Sequence, residues 1–420
     1  MVRHGRLPGR WRSCGALARG SIVALLLLAP QPAVAAISAR PTIDLPWMQE
    51  DFSAVTAAVL ADGSFAIAST ETVQITPQEY AASLKAQFFR ATGSAQTRPL
   101  TLIRPGIVTY AGVGPLGSRY FLVWQDYQRA HAAFYSQQGT LIGRPFNWPY
   151  SDIADFAAYY RFGNAPRWRF LPITYDFAGL DADHNPFYRD FLRAAKPNGQ
   201  LLGPSVELPY IEDAAINGSG RFVVLSHRCS AVDPNLPCVR GMQMFDGAVT
   251  PRTPFITADV AQDEGPGGVV NGSFRAAIGP QGQVLLTWFT DQNGPVPRFV
   301  ARLYDQHGSQ ASSEVQVVTP AVPDLSPNRG VKALDDGSFV LSWLLYSQVD
   351  HIAKLVVDRF DPQTGTFEQP VVLAEGPIYG ALLELNGAGK GVVVWQTEEF
   401  DAEERPISNE GHLRVIQVTR

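Results

Sequence analysis

A glycine followed by a short run of β-branched and aromatic residues recurs along the chain, and this self-similarity constrains the fold more than any other feature. The copies are GSFAIAS from Gly63, GSRYFLVW from Gly117, GRFVVLS from Gly220, GQVLLTW from Gly282, GSFVLSW from Gly337 and GKGVVVW from Gly389. A variant without glycine, RWRFLPITY from Arg167, falls midway through the otherwise double gap, so the intervals become about 50 to 62 residues and the units number seven. A second signature follows in nearly every unit, an aromatic residue then a glycine two to five positions on: Phe89 to Gly93, Tyr135 to Gly139, Phe245 to Gly247, Tyr304 to Gly308 and Phe360 to Gly365. That spacing reads as a hairpin turn in which glycine supplies the positive φ that other residues resist.

Each unit divides into four short strands. In the fifth they are SFRAAIG, QVLLTWF, FVARLYD and SEVQVVT. Four antiparallel strands repeated seven times predict an all-β, seven-bladed β-propeller, with six or eight blades as the neighbouring counts. Small residues in the first strands (Ala57, Ala58, Ala276, Ala277, Gly380, Ala381) suit a crowded axis, and Trp124, Trp288, Trp343 and Trp395 suit packing between blades. The last unit offers only three strands, near 378–385, 391–396 and 412–419. A fourth is therefore expected from 37–47, where Pro41 and Pro46 are compatible with an outer edge.

The repeat resembles those of bacterial secreted β-propellers, in which a G-x-F-V-V-x-W strand precedes an R-x-[FY]-D-x-x-G hairpin. Ala301-Arg302-Leu303-Tyr304-Asp305 to Gly308 and Asp358-Arg359-Phe360-Asp361 to Gly365 match the second half best, and the third unit departs most. The resemblance implies an architecture, which hosts many functions. The sialidase-type Asp box is not met: its nearest echo, Ala333-Leu334-Asp335-Asp336-Gly337, lacks the leading hydroxyl and the spaced tryptophan.

Residues 1–35 read as a signal peptide, with Arg3, Arg6, Arg10, Arg12 and Arg19 ahead of the apolar run 21–29 and Ala33-Val34-Ala35 as cleavage site. Residues 36–420 are then one propeller domain, periplasmic or secreted, with no stable membrane anchor, and a monomer. Cleavage removes five arginines and no acid, taking the formal charge of −5 five units further negative. Nucleic acid is then an unsuitable partner, since phosphate binding needs a basic surface. Cys229 and Cys238 remain, and in an exported chain they read as a local disulfide rather than two free thiols.

Function is much less legible. No G-x-S-x-G, Walker A or H-E-x-x-H segment occurs, and the histidines are scattered. The long connections between second and third strands, 70–83, 176–186, 227–237 and 397–411, are the expected binding face, because long loops on a rigid scaffold carry binding. Its richest part lies in the third unit, at Tyr175, Asp176, His184, Phe187 and Tyr188, with core filling of a degenerate blade as the competing reading. Asp181, Asp183 and Asn185, with Asp190 beyond, space oxygens like the first half of a Ca²⁺ loop. Pro186 and Leu192, however, stand where such a loop has glycine and glutamate, which favours a solvated turn. The acidic run Glu398, Glu399, Asp401, Glu403 and Glu404 reads as a solvated loop. The expectation is a binding or scaffold propeller for a protein or glycan. An extracytoplasmic hydrolase or lyase acting on glycans through carboxylates at the channel mouth is the alternative.

Overall fold

In the computed structural model, residues 36–48, 55–76, 79–106, 110–125, 130–147, 160–162, 170–180, 186–192, 203–208, 211–228, 239–260, 274–290, 298–317, 330–347, 352–400 and 406–419 are described. Every regular element among them is a β-strand. Two short strands come first, β1 (Ala36–Ala39) and β2 (Ile43–Leu45). Seven antiparallel sheets account for the remaining described strands. Blade one is β3 (Val55–Val59), β4 (Phe65–Thr76), β5 (Glu79–Phe89) and β6 (Leu100–Gly106). Blade two is β7 (Tyr110–Leu116), β8 (Arg119–Gln125), β9 (Ala130–Ser136) and β10 (Leu141–Asn147). Blade three is β11 (Tyr160–Phe162), β12 (Phe170–Leu180), β13 (Pro186–Leu192) and β14 (Val206–Leu208). Blade four is β15 (Ile211–Ile216), β16 (Phe222–Arg228), β17 (Val239–Phe245) and β18 (Ile256–Val260). Blade five is β19 (Arg275–Ile278), β20 (Val284–Thr290), β21 (Arg298–Tyr304) and β22 (Val315–Gln316). Blade six is β23 (Gly330–Ala333), β24 (Phe339–Ser347) and β25 (Ile352–Asp361), its outer edge shared by β26 (Thr366–Phe367) and β27 (Val371–Gly376). Blade seven is β28 (Ile378–Leu385), β29 (Lys390–Phe400) and β30 (Pro406–Thr419). The other end of the chain completes it: β1 and β2 both pair with β30, from Ala36↔Thr419 to Leu45↔Gly411.

The second strands read as unbroken apolar runs because both faces of each blade are covered. In β4, Phe65 and Ile67 pack toward blade seven while Ala66 and Ala68 pack toward blade two. The core is thus a set of layers between consecutive blades, and the tryptophans sit in them as expected. Trp288 packs against blade four, Trp343 against blade five, Trp395 against blade six and the half-buried Trp124 against blade one.

The repeated glycines serve two hairpin turns. In the first-to-second-strand turn, Gly63, Gly220, Gly282, Gly337 and Gly389 take φ between +75° and +94° and close a bond of the Gly63 N to Leu60 O type, while Gly117, at φ 62°, lies in the two-residue turn between Leu116 and Arg119. In the third-to-fourth-strand turn, Gly93, Gly139 and Gly308 are left-handed, and a side chain of the preceding blade lies where their Cβ would stand: Ile43 and Val415, Phe88, and Ile256 respectively. Blade four departs from the expectation. Its left-handed residue is Val249, at φ 65°, and not the predicted Gly247.

Candidate functional site

In each blade the second strand ends and the third begins at the end opposite the tight turns, the end at which the innermost strand starts. Four long loops were expected at that end, but three of the segments continue as strands. Residues 70–76 and 79–83 extend β4 and β5 past the start of β3, paired from Thr70↔Leu84 to Thr76↔Glu79. Residues 173–180 and 186–189 extend blade three, and 398–400 with 406–410 extend blade seven. Sequences such as TETVQIT alternate polar with β-branched residues, and this period of two sustains a strand after the blade has ended. These three segments therefore stand as two-stranded ribbons on one face. The fourth segment, 227–237, lies almost entirely outside the described residues, as do Cys229 and Cys238.

On the blade-three ribbon Tyr175 pairs with Asp190, Asp176 with Arg189, Phe177 with Tyr188 and Gly179 with Phe187, with a bulge between Phe177 and Gly179. Four of the expected binding residues thus share one ribbon. The fifth, His184, together with Asp181, Asp183 and Asn185, falls outside the described residues. Among the described residues no group of three His, Cys, Asp or Glu side chains is placed to hold a metal ion.

A charged cluster that sequence reasoning missed lies beneath the ribbon face at the joint of blades four and five. Glu212 and Asp213 open β15, Arg240 opens β17, Asp259 nearly ends β18 and Arg275 opens β19. Arg240, Asp213 and Asp259 are buried. Arg240 Nε lies 3.7 Å from Glu212 Oε1, and Asp213 Oδ2 accepts the Ala276 amide of the next blade at 3.4 Å. The available signal was the adjacent acids in IEDAAI, where an innermost strand should be apolar.

Blade seven carries a second polar line toward the same end. His412 Nδ1 lies 2.9 Å from Asp44 Oδ1, and since a carboxylate only accepts, Nδ1–H donates. Nε2 lies 2.9 Å from Thr397 Oγ1, and the ring stacks on Trp395 at 5.6 Å. Hydroxyl, imidazole and carboxylate in sequence have the order of a nucleophile-activating relay. Blade two repeats the row without a carboxylate: His131 stacks on Trp124 at 5.3 Å, and its Nδ1 meets Asn147 Oδ1 at 3.1 Å. A row present in two blades, each time joining third strand to outer strand, acts as a clamp on the outer strand.

The opposite face is made of the tight turns. Asn217 and Asn386 each cap their own turn and bridge to the next blade, Asn217 Nδ2 to Gly279 O at 2.9 Å and Asn386 Nδ2 to Leu60 O at 2.8 Å. Asp336, within the Asp-box echo, accepts Ser338 and the Arg359 guanidinium, so it is structural. Asp62 behaves similarly. Burial opposes its charge, but hydrogen bonds from the Ser64 hydroxyl and amide and from Gln137 of blade two outweigh this and hold its carboxyl below the ordinary value. A shallow cleft of about 630 Å³ between blades four and five is lined by Ser219, Arg221, Gln281, Gln283 and Asp305. Arg221 there reaches Gln281 O and Gln306 Oε1 at 3.3 Å each.

No protein-family model matches the chain, and no curated protein matches it by sequence. Solved structures do match by shape. An acylaminoacyl peptidase of Pyrococcus horikoshii matches with TM-score 0.50 at 10% identity, over 89% of this chain and 52% of that one. The β-propeller domain of the Trilobed protease from Pyrococcus furiosus matches with TM-score 0.47 at 10% identity, over 86% and 92%. The polysaccharide lyase Uly1 matches with TM-score 0.49 at 9% identity, over 84% and 88%. At these identities the likeness concerns fold alone: the chain is a β-propeller.

Proposed function

We propose that this is an exported binding propeller whose protein or glycan ligand sits on the ribbon face. The observation that carries the reading is the three ribbons themselves. Blades one, three and seven prolong their second and third strands beyond the blade on that face, while the described turns of the opposite face are short hairpins. Strand extension offers edge backbone groups and side chains at fixed spacing, so a surface built this way is more ordered than a loop of equal length. The blade-three ribbon, with Tyr175, Asp176, Phe177, Phe187 and Tyr188, supplies the aromatic part.

The test replaces Tyr175, Phe187 and Tyr188 together by alanine, and measures retention on envelope glycans and capture of partner proteins beside thermal stability. Lost retention in a folded variant supports the assignment, and retention equal to wild type defeats it. The buried carboxylates Asp213 and Asp259, with the partly buried Glu212, favour a second reading, a glycan hydrolase or lyase, because acids withdrawn from water beneath a binding face are the raw material of acid–base catalysis. Release of reducing ends or unsaturated products from a polysaccharide panel, abolished by Asp213→Asn, would favour it over simple binding.

A further inference from the structure

Among the described innermost strands, two are bulged at the first step from the ribbon face: β15 between Ile211 and Asp213, and β28 between Ile378 and Gly380. A bulge leaves one residue outside the ladder and re-aims its side chain. In blade four that residue is Glu212, folded against Arg240. In blade seven it is Tyr379, whose side chain is 58% exposed, more than any other large apolar side chain described. β28 adjoins the innermost strands of blades one and six, so Tyr379 stands at the axial mouth of the ribbon face. An exposed ring forgoes the gain of burial, and the bulge also interrupts strand pairing, so presenting Tyr379 to water works against stability.

We propose that Tyr379 is a ligand-binding residue, the stacking platform for one ring of a neutral glycan. The proposal rests on the ribbon face being the binding face. The ligand class follows from the surroundings. A protein hot spot sits at the centre of a well-packed patch of further anchors, whereas the other exposed large apolar residues described, Leu141 and Val372, lie on the outer strands of blades two and six, away from Tyr379. Its neighbour Ile378 pairs with Thr397, which pairs in turn with Glu410, and the Glu398 amide donates to Pro377 O at 3.0 Å. A pyranose matches that arrangement, with C–H bonds on one face for the ring and hydroxyls at its edge for carboxylate and hydroxyl partners. Charge selects further. The chain carries a net charge of −5, and the adjoining strands bring Glu398 and Glu399 of β29 and Glu410 of β30 to this end, so an anionic polysaccharide meets repulsion.

Affinity electrophoresis through gels containing neutral polymers (laminarin, hydroxyethyl cellulose, galactomannan) or anionic ones (alginate, pectate) tests this, with wild type, Tyr379→Ala, Tyr379→Phe and the blade-three triple variant side by side. The expected pattern is retardation of wild type by a neutral polymer and not by the anionic ones. Tyr379→Ala should weaken it at least about tenfold at unchanged melting temperature, and Tyr379→Phe should keep it, since the ring does the stacking. Equal retardation of wild type and Tyr379→Ala overturns the inference while leaving the ribbon-face reading intact if the triple variant loses binding. Retardation by anionic polymers alone, or by none, also overturns it; partner capture lost in the triple variant would then sustain the ribbon face as a protein site.

Discussion

Replacing Asn386 tests whether hydrogen bonds between turns hold neighbouring blades together. The residue is 3% exposed and uses its whole amide. Nδ2 donates to Leu60 O at 2.8 Å and Ala61 O at 3.2 Å in blade one, while Oδ1 accepts the Ala388 and Lys390 amides at 3.0 Å each. Half of the group thus closes its own turn, and half joins blades whose turns are 326 residues apart in sequence. A net hydrogen bond is worth about 1 kcal/mol, and a buried group left unpaired costs about 1–3 kcal/mol. Asn386→Ala should therefore lose about 2–4 kcal/mol, read as a lower urea midpoint at unchanged slope by tryptophan fluorescence. Asn386→Asp separates the two halves, because it keeps the turn-capping oxygen but sets a second oxygen against the Leu60 carbonyl. It should be nearly as destabilising as alanine, and Asn217→Ala, which breaks the equivalent joint of blades four and five, should cost a similar amount. An Asn386→Asp protein that unfolds at the wild-type midpoint would refute the bridging role and leave turn capping as the whole effect.

Further expectations follow from the same packing. Burial, aided by the nearby Glu368 carboxylate and opposed by a hydrogen bond from the Arg359 amide, pushes Asp358 up to about 6, with 2% of the residue exposed. Between its ordinary value near 4 and that raised value the folded state binds the extra proton, so stability falls as pH rises through this window and the penalty is complete above it. Asp358→Asn should accordingly gain up to about 3 kcal/mol at pH 7.5 and nothing near pH 4, as melting curves at the two pH values would show. Deleting residues 36–47 removes both strands paired with β30 together with buried Leu45, and a sharply lowered melting temperature is expected; an unchanged one contradicts closure by this segment. His412→Ala should release the Asp44 strand and hasten proteolysis near the N-terminus, at a cost of about 1–3 kcal/mol.

The repeat made the blades legible because each rule it rests on is local. A glycine at +φ marks a turn, and a run such as GQVLLTW can only be a strand covered on both faces. The four tryptophans were readable for the same reason, since they recur at one position of that strand. The site was less legible because its features depend on neighbours that differ from blade to blade. TETVQIT reads as a strand in isolation, but nothing local says whether it lies within a blade or beyond one. Arg240 and Asp259 are unremarkable in sequence, and they become a buried cluster only when β15, β17 and β18 converge. Tyr379 looks like any aromatic in a strand until the register shows it displaced from the ladder.

Val249 shows how the departure of blade three reaches its neighbour. In blades one, two and five the left-handed turn position is glycine, and a side chain from the preceding blade fills the space that a Cβ would need. In blade four no glycine stands there. Val249 occupies the position itself, 2% exposed and packed with Leu192 and Leu208 of blade three. A β-branched residue at φ 65° costs roughly 1–2 kcal/mol, and burying its side chain returns about 1.5–3 kcal/mol, so the two nearly balance with burial ahead. Val249→Gly should then be neutral to mildly destabilising although it restores the repeat's own residue, which a pattern-based reading would expect to stabilise. A gain above about 1 kcal/mol on that change would show that the strain outweighs the packing, and that blade four's turn is not shaped by what blade three gave up.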